Sequence, residues 1–309
     1  MKQFSTPNII ITLTLLTAVP LMSLNMFMPS LGIMAQDFNV GYDTMAIAVS
    51  GYLMFTAVLQ LLAGPVADRF GRRPVLLASL GLFAVASIGC ALADNFSSFL
   101  FFRILQGAVI TASVLSRAIV SDVAASKQAT VILGYIGMAM SLAPILAPSL
   151  GGFLSDAAGW RANFWLYAAT GIGLWAMVWI RLPETSGAQP LGASAFIKSY
   201  FELIKSAHFW AYTLIMAFSI GAFFVFISGV PLVAVEQLDM SQSQIGLAIG
   251  SMTVGFLIGS FLSAQLALRL AANTVILLGR SVTVFGLLSC FVLIWTNILP
   301  PWALFGGAI

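Results

Sequence analysis

The stretch "GPVADRFGRR", residues 64–73, places one acid and three arginines between two long apolar segments. Charge is scarce elsewhere, because the 309 residues include only 13 lysines and arginines and 10 acids. Hydrophobic residues make up 60% of the chain, and its mean hydropathy is +1.03. A soluble core of this size could not bury so much apolar surface, so the composition predicts an integral membrane protein.

Apolar runs of bilayer length predict an all-α membrane fold with nine complete helical spans and part of a tenth. The spans lie near residues 8–28, 45–66, 74–93, 99–120, 130–153, 162–180, 209–235, 244–268 and 274–296. The first span is expected to be a retained helix, since no convincing small-residue cleavage site follows it. The run 298–309 is too short to cross a bilayer, so we interpret it as part of a helix in a truncated chain.

The positions of the cations predict the topology, because lysine and arginine in short loops stay on the cytoplasmic side. With the amino terminus inside, that side holds Lys2, Arg69, Arg72, Arg73, Arg117, Lys127, Arg181, Lys198, Lys205, Arg269 and Arg280. We therefore expect a multi-pass protein of the cytoplasmic (inner) membrane. The net charge of +3 then reflects topology, and no basic and aromatic patch indicates nucleic-acid binding.

The sequence carries no pattern of a cofactor, metal or catalytic site. Cys90 and Cys290 each lie alone in a predicted span, and the single histidine, His208, stands at a helix end. No nucleophile is accompanied by a base, and no loop has the form of an ion-selectivity filter. An enzyme or a channel is therefore disfavoured.

One polar segment divides the chain. Residues 183–206, "PETSGAQPLGASAFIKSYFELIKS", are expected to form a cytoplasmic linker. Before it, residues 1–182 hold six predicted spans, and after it, residues 207–309 hold an incomplete second set. "MPSLGIMAQDF" at 28–38 and "VPLVAVEQLDM" at 230–240 are similar, which favours two repeated six-helix halves.

The loop at 64–73 has features of a charged clasp between helices. Asp68 falls at the carboxyl end of the second span, where the helix macrodipole disfavours an anion, so it needs a partner from elsewhere. Gly71 allows a tight chain reversal, and Pro74 suits the first turn of the third span. The alternative is a loop whose arginines do no more than fix the topology.

The fourth span carries a polar stripe. Arg103 and Arg117 are 14 residues apart, which leaves them about 40° apart around a helix axis, and Gln106 lies on the same face. An arginine exposed to lipid is costly, so the stripe is expected to face a watery cavity or a paired acid. The alternative, most apt for Arg117, is that both arginines extend towards opposite helix ends.

The fifth span, "GYIGMAMSLAPILAPSLGG" at 134–152, is rich in small residues and proline. It contains Pro144, Pro148, Gly151 and Gly152. In a membrane bundle small residues permit close helix approach, and neighbouring helices can satisfy the backbone groups that proline frees. Generic packing is the simpler interpretation of the same residues.

Three motifs together resemble the major facilitator superfamily. The loop resembles that family's signature, which helps to control the change between inward-open and outward-open states, at Gly64, Asp68, Arg69, Gly71, Arg72 and Arg73. "RILQG" at 103–107 resembles the fourth-helix motif, whose arginine is implicated in proton transfer. The segment 147–152 resembles the motif of proton-driven antiporters, with alanines at 143 and 147 in place of glycines. The doubled proline in "APILAP" is typical of the Bcr/CflA drug-resistance branch.

This resemblance implies two six-helix bundles, the second incomplete, that carry a small molecule by alternating access. The implied function is export of amphipathic drugs or metabolites by proton antiport, with a monomer in the lipid bilayer. The residues expected on the proton or substrate pathway are Asn25, Arg103, Gln106, Gly107 and Arg117. The alternatives are an uptake carrier or uniporter of the same fold, or an inactive truncated relative.

One departure from the family concerns proton coupling. "NMFMP" at 25–29 has Asn25 where many relatives have an aspartate, and an amide carries no titratable proton. Coupling would then pass to an acid at a span end such as Asp37, or to a segment outside this sequence, or be absent. The sequence leaves these three possibilities open.

Overall fold

The structure, a computed structural model, describes residues 6–123, 126–185, 202, 204–238, 240–247, 249, 255, 258–259, 262, 266, 270 and 272–296. Helices account for nearly all of these residues. The elements in chain order are α1 (Thr6–Asn25), a 3-10 turn (Met28–Ser30), α2 (Leu31–Asp37), α3 (Tyr42–Phe70), α4 (Arg72–Ala91), α5 (Phe96–Gln106), a second 3-10 turn (Gly107–Val109), α6 (Ile110–Val123), α7 (Ser126–Ala158), α8 (Arg161–Arg181), α9 (Ala207–Leu238) and α10 (Ala272–Trp295). Residues 242–247 form a further helical segment, here called the 242–247 helix.

Within the described residues, five helical stretches are long and apolar enough to cross a membrane. They are Ile10–Asp37, Tyr42–Phe70, Arg72–Ala91, Phe96–Asp122 and Arg161–Arg181. Each overlaps one predicted span, and α7, α9 and α10 overlap three more. Most of the predicted span 244–268 lies outside the described residues, so the count of nine stays a prediction.

The first membrane segment does not end at residue 28 as predicted. The α-helix breaks after Asn25, a 3-10 turn follows, and α2 continues the helical path to Asp37. Pro29 stands in the first positions of that 3-10 turn, where its missing N–H removes no helical hydrogen bond. The sequence boundary was therefore wrong because this proline begins a turn of helix and does not terminate the segment.

A second 3-10 turn interrupts the fourth membrane segment at Gly107. A Cβ placed on Gly107 would lie 3.0 Å from Phe55 Cδ1 and 3.1 Å from Thr56 Cγ2, both on α3. The helix itself begins at Phe96, because the Asn95 side chain accepts a hydrogen bond of 2.9 Å from the Ser98 N–H. Gly107 therefore marks a close approach of two helices in the middle of the segment.

Helix packing over residues 6–181 produces one shared core. α4 packs along α8 and α1 packs along α7, while α5 and α6 lie against α1, α3 and α4. An aromatic cluster joins these helices near one end, where the Trp160 ring lies 5.9 Å from the Phe99 ring and 5.7 Å from the Phe164 ring. Many apolar side chains on the outer faces of α3 and α8 remain exposed, as expected for helices that face lipid.

The bundle has two ends. The Arg72 end carries Arg72, Asp122 and Glu184, and the Trp160 end carries Trp160 and Asp156. α9 contacts the first 3-10 turn, α2 and α3 at the Trp160 end.

Candidate functional site

Gly71 forms the chain reversal that the sequence predicts at the Arg72 end. It lies between α3 and α4 with a φ of +93°, a region that favours glycine, and its N–H donates to the Ala67 carbonyl at 2.9 Å. A Cβ at this position would also lie 2.6 Å from Glu184 Oε2. Both the backbone angle and the space beside it therefore require glycine.

The carboxylate of Glu184 caps the first turn of α4. Its two oxygens accept the backbone N–H groups of Arg72 at 2.9 Å and Arg73 at 3.2 Å. The first N–H groups of a helix have no partner within the helix, and an anion there is favoured by the helix dipole. The sequence analysis missed this role because it assigned Glu184 to the linker. Its position beside Pro183, directly after a span that ends on the same side, was the available signal.

The arginine side chains of the loop tie it to neighbouring helices. The Arg72 guanidinium forms an ion pair with the Asp122 carboxylate on α6. Arg73 donates to the Trp179 carbonyl on α8 at 2.7 Å and lies 5.2 Å from the centroid of that ring. Arg69 is exposed and lies 5.4 Å from the centroid of the Phe70 ring. The loop is therefore held to its neighbours through Asp122, Trp179 and Glu184, which the sequence did not identify as partners. The role of Asp68 in a clasp stays a prediction.

Gly64 and Asp68 lie one turn apart on the same face of α3. Asp68 is half-buried and has no hydrogen-bond or ion-pair partner among the described residues. A Cβ on Gly64 would meet nothing within 4 Å. In the described part of the chain this face of α3 therefore has room for another element.

Arg103 is fully buried, with 0% of its surface exposed. Its guanidinium donates to the Ser23 carbonyl at 2.8 Å, to Ser23 Oγ at 3.3 Å and to Gln106 Oε1 at 2.6 Å. Its Cζ lies 4.1 Å from the Phe27 ring centroid and 4.3 Å from the Tyr52 ring centroid. The sequence predicted a watery cavity or an acidic partner for Arg103. Among the described residues, neutral oxygens and aromatic rings surround the cation instead.

Gln106 extends this network into α4. Its Nε2 donates to Ser87 Oγ at 2.7 Å, and that hydroxyl donates to the Phe83 carbonyl at 2.7 Å. The chain of hydrogen bonds links α1, α5 and α4 through buried groups. Arg103 Nε has no hydrogen-bond partner among the described residues.

Arg117 does not join Arg103. Fourteen residues correspond to about 21 Å along a helix, and the Arg117 side chain is exposed, with its guanidinium 3.2 Å from Met140 Sδ. The two arginines of the predicted stripe therefore lie at different depths and in different environments.

Asn25 lies at the end of α1, beside the 3-10 turn, and is 2% exposed. Its Nδ2 donates to the Leu21 carbonyl at 2.8 Å, while Oδ1 has no partner among the described residues. Asp37, the other candidate for coupling, accepts from the Arg161 guanidinium at 2.7 Å and from Trp160 Nε1 at 3.0 Å. A protonated Asp37 would have to give up the charge of this ion pair.

The glycines of α7 make close backbone contacts. A Cβ on Gly151 would lie 1.7 Å from the Met26 carbonyl oxygen, and one on Gly152 would lie 2.1 Å from the Gln242 carbonyl oxygen. Pro148 is buried on the same helix, and its carbonyl oxygen would lie 2.3 Å from a Cβ on Gly246. Pro144, one turn earlier, is half-buried. This motif therefore brings α7 against both α1 and the 242–247 helix.

Asp156, which the sequence analysis did not select, completes this contact. Its carboxylate accepts the backbone N–H groups of Gln242 at 3.1 Å and Ser243 at 2.8 Å, and also the Ser243 hydroxyl. Tyr42 at the start of α3 donates to the Ser228 carbonyl on α9 at the same end of the molecule. The sequence offered no signal for these pairs, since the partners are far apart along the chain.

Known proteins resemble this chain in sequence and in fold. A chloramphenicol resistance protein of Pseudomonas aeruginosa is 29% identical over 267 residues, which cover 86% of this chain and 63% of that protein. A bicyclomycin resistance protein homolog of Haemophilus influenzae is 26% identical over 279 residues, or 89% of this chain and 70% of the relative. The crystal structure of a D-xylose-proton symporter matches with a TM-score of 0.75 and 17% identity, over 97% of this chain and 79% of that chain.

These relatives are consistent with the Bcr/CflA drug-resistance branch, although this chain spans 63% of the length of the Pseudomonas protein. The family and the fold are those of transporters and not of enzymes. The family profile described as Major Facilitator Superfamily matches residues 13–309, and the chain therefore belongs to that superfamily.

Proposed function

We propose that this transporter exports small amphipathic drugs or metabolites across the cytoplasmic membrane by alternating access. In this proposal a bundle formed by residues 1–182 and a second one that begins at residue 207 rock against each other, with 183–206 as the linker. The amino terminus is cytoplasmic, so the Arg72 end faces the cytoplasm and the Trp160 end faces outward. The working unit is a monomer.

The contact of α7 with the 242–247 helix is the observation that carries this proposal. Gly152 lies against the backbone of Gln242, and Gly246 lies against the backbone of Pro148, so neither glycine adds a side chain that would interlock the two surfaces. Rigid bundles that rock around a site near the middle of the membrane need such interfaces, which can close tightly and separate again. Packing of two lipid-facing helices alone would not require a glycine on each helix where it meets the backbone of the other.

The substrate class rests on two supports. Two of the relatives are named for resistance to chloramphenicol and to bicyclomycin, which indicates export of small organic molecules. The half-buried Met22 and Met140 line the same region as Arg117, and flexible thioethers adapt to ligands of varied shape.

Proton antiport is the form of coupling that we propose, with the coupling acid outside the part of the chain described. Asn25 has no titratable proton, and Asp37 is engaged by Arg161. In this proposal the helices at the centre of the pathway are held in position by Arg103, Gln106 and Gly107. Arg117 lies on the exposed side of the same pathway. A uniporter is the second candidate, because every described partner of Arg103 is neutral.

Accumulation of a fluorescent amphipathic dye in cells with and without the full-length gene tests the proposal. Export predicts lower accumulation in cells that carry the gene, and proton antiport predicts that a protonophore abolishes the difference. Higher accumulation would identify an uptake carrier, and efflux that survives the protonophore would favour the uniporter.

A further inference from the structure

Asp156 connects two distant parts of the chain at the Trp160 end. It lies in the last turn of α7, and its carboxylate accepts three hydrogen bonds from the beginning of the 242–247 helix. The donors are the N–H groups of Gln242 and Ser243 and the Ser243 hydroxyl.

The hydrogen bonds of Asp156 join the carboxyl end of one helix to the amino end of another. A carboxylate at the carboxyl end of its own helix is disfavoured by the helix dipole, and Gly159, with a φ of +80°, follows closely after the helix. In the facing helix the Ser241 hydroxyl accepts the Gln244 N–H at 3.3 Å, whereas the N–H groups of Gln242 and Ser243 find their acceptor in Asp156. Each helix end therefore supplies what the other lacks, through charge-assisted hydrogen bonds.

The contact beneath Asp156 is tightly packed. Gly152 meets Gln242 and Gly246 meets Pro148 at distances that leave no room for a Cβ, and Ser149 Oγ donates to the Gly246 carbonyl at 3.3 Å. Ile245 lies within this contact and has 0% of its surface exposed. The hydrogen bonds of Asp156 thus stand at the outer rim of a surface that excludes water.

The Arg72 end is different. Asp68 also lies in the last turn of its helix, α3, and it has no partner among the described residues. Asp68 and Asp156 each lie in the last turn of a helix, at opposite ends of the bundle. Of these two acids, only Asp156 accepts hydrogen bonds from a facing helix among the described residues. The conformation described is therefore closed at the Trp160 end.

We propose that Asp156 is a gating residue, whose hydrogen bonds to the 242–247 helix hold the Trp160 end closed and break whenever that end opens. The inference rests on alternating access as the proposed mode of transport and assigns one residue that sets the balance between its states. Asp156 touches no substrate in this role. It acts by stabilising the closed contact relative to the open one.

Thiol labelling at position 245 tests the assignment without any substrate. In a background with Cys90→Ser and Cys290→Ser, the full-length protein carries Ile245→Cys, and a membrane-impermeant maleimide is added from the outside. We expect Asp156→Asn to raise the labelling rate about tenfold, because the amide keeps one acceptor oxygen, loses the charge and turns a donor NH2 towards donors that the second carboxylate oxygen accepts. Asp94→Asn is the matched control, because Asp94 is an exposed acid at the same end with no hydrogen-bond or ion-pair partner among the described residues.

Ser243→Ala supplies a second variant in case Asp156→Asn does not fold. It removes one of the three donors and leaves both backbone N–H groups, so a smaller rise of about threefold is expected. Equal labelling rates in Asp156→Asn and Asp94→Asn would overturn the assignment. So would the absence of any rise in labelling rate in both Asp156→Asn and Ser243→Ala. Failure of dye export in the unmodified protein would instead count against the proposed function, because labelling reports the conformation whether or not transport occurs.

Discussion

Among the described glycines, Gly151 has the least room for an added methyl group, so Gly151→Ala is expected to cause the most severe clash. The new methyl carbon would lie 1.7 Å from the Met26 carbonyl oxygen, whereas carbon and oxygen atoms in close helix contacts stay about 3.3 Å apart. α7 and α1 would have to separate by about 1.6 Å to restore that distance. The obstacle is backbone, so no side chain can rotate away to relieve it.

The free energy of unfolding is expected to fall by about 3 kcal/mol or more, at the upper end of the range for overpacked cores. For a protein of this size that corresponds to a fall in Tm on the order of 6 °C or more. Thermal unfolding of the purified protein in detergent measures it, and dye efflux measures the accompanying loss of transport. The matched control is Gly137→Ala on the same helix, where an added Cβ meets nothing within 4 Å.

The contact with Met26 makes one outcome decisive. If Gly151→Ala lowers the Tm no more than Gly137→Ala does, the close approach of α7 and α1 is not a feature of the folded protein. The interpretation of the α7 glycines as contact surfaces would then fail.

Three further substitutions test the site. Glu184→Gln should lower stability by about 0.5 to 1 kcal/mol in thermal unfolding, because the α4 cap loses its charge; an equal loss in the exposed control Glu202→Gln would contradict this. Arg103→Lys should reduce dye efflux about tenfold, because one ammonium cannot span the Ser23 and Gln106 oxygens and stack between two rings; unchanged efflux would remove Arg103 from the mechanism. Gly64→Ala should leave the Tm unchanged, since its Cβ meets nothing within 4 Å, yet lower efflux if a further helix closes on this face; a lowered Tm would show that the face is already occupied.

The loop at the Arg72 end shows what local sequence can and cannot predict. The reversal at Gly71 follows from the residue type, because a positive φ is accessible to glycine at little cost. A clasp was predicted around Asp68, whereas the ion pair and the helix cap that the structure shows involve Arg72, Asp122 and Glu184. Glu184 lies 112 positions from Arg72, and no pattern within the loop specifies which acid reaches it.

At the centre of the bundle, too, the sequence predicts which residues share a helix face but not what surrounds that face. The spacing of Arg103 and Gln106 correctly predicts that they share a helix face, and their hydrogen bond confirms it. The environment of that face was predicted wrongly, as a cavity or an acid. Burial of Arg103 between Phe27 and Tyr52 depends on how α1 and α3 cross α5, which helical periodicity does not describe.

The amino-acid sequence by itself determined that this protein is a helical membrane protein, because hydropathy, glycine and proline act over a few neighbouring residues. Its transporter family was indicated by the resemblance of its motifs. Only the tertiary structure decided the partner of each buried or interhelical polar group. Ser23 reaches Arg103 over 80 positions and Asp156 reaches Gln242 over 86, so these pairs exist only once the helices have packed. Their energies depend on distance and on the exclusion of water, and both are properties of the folded bundle.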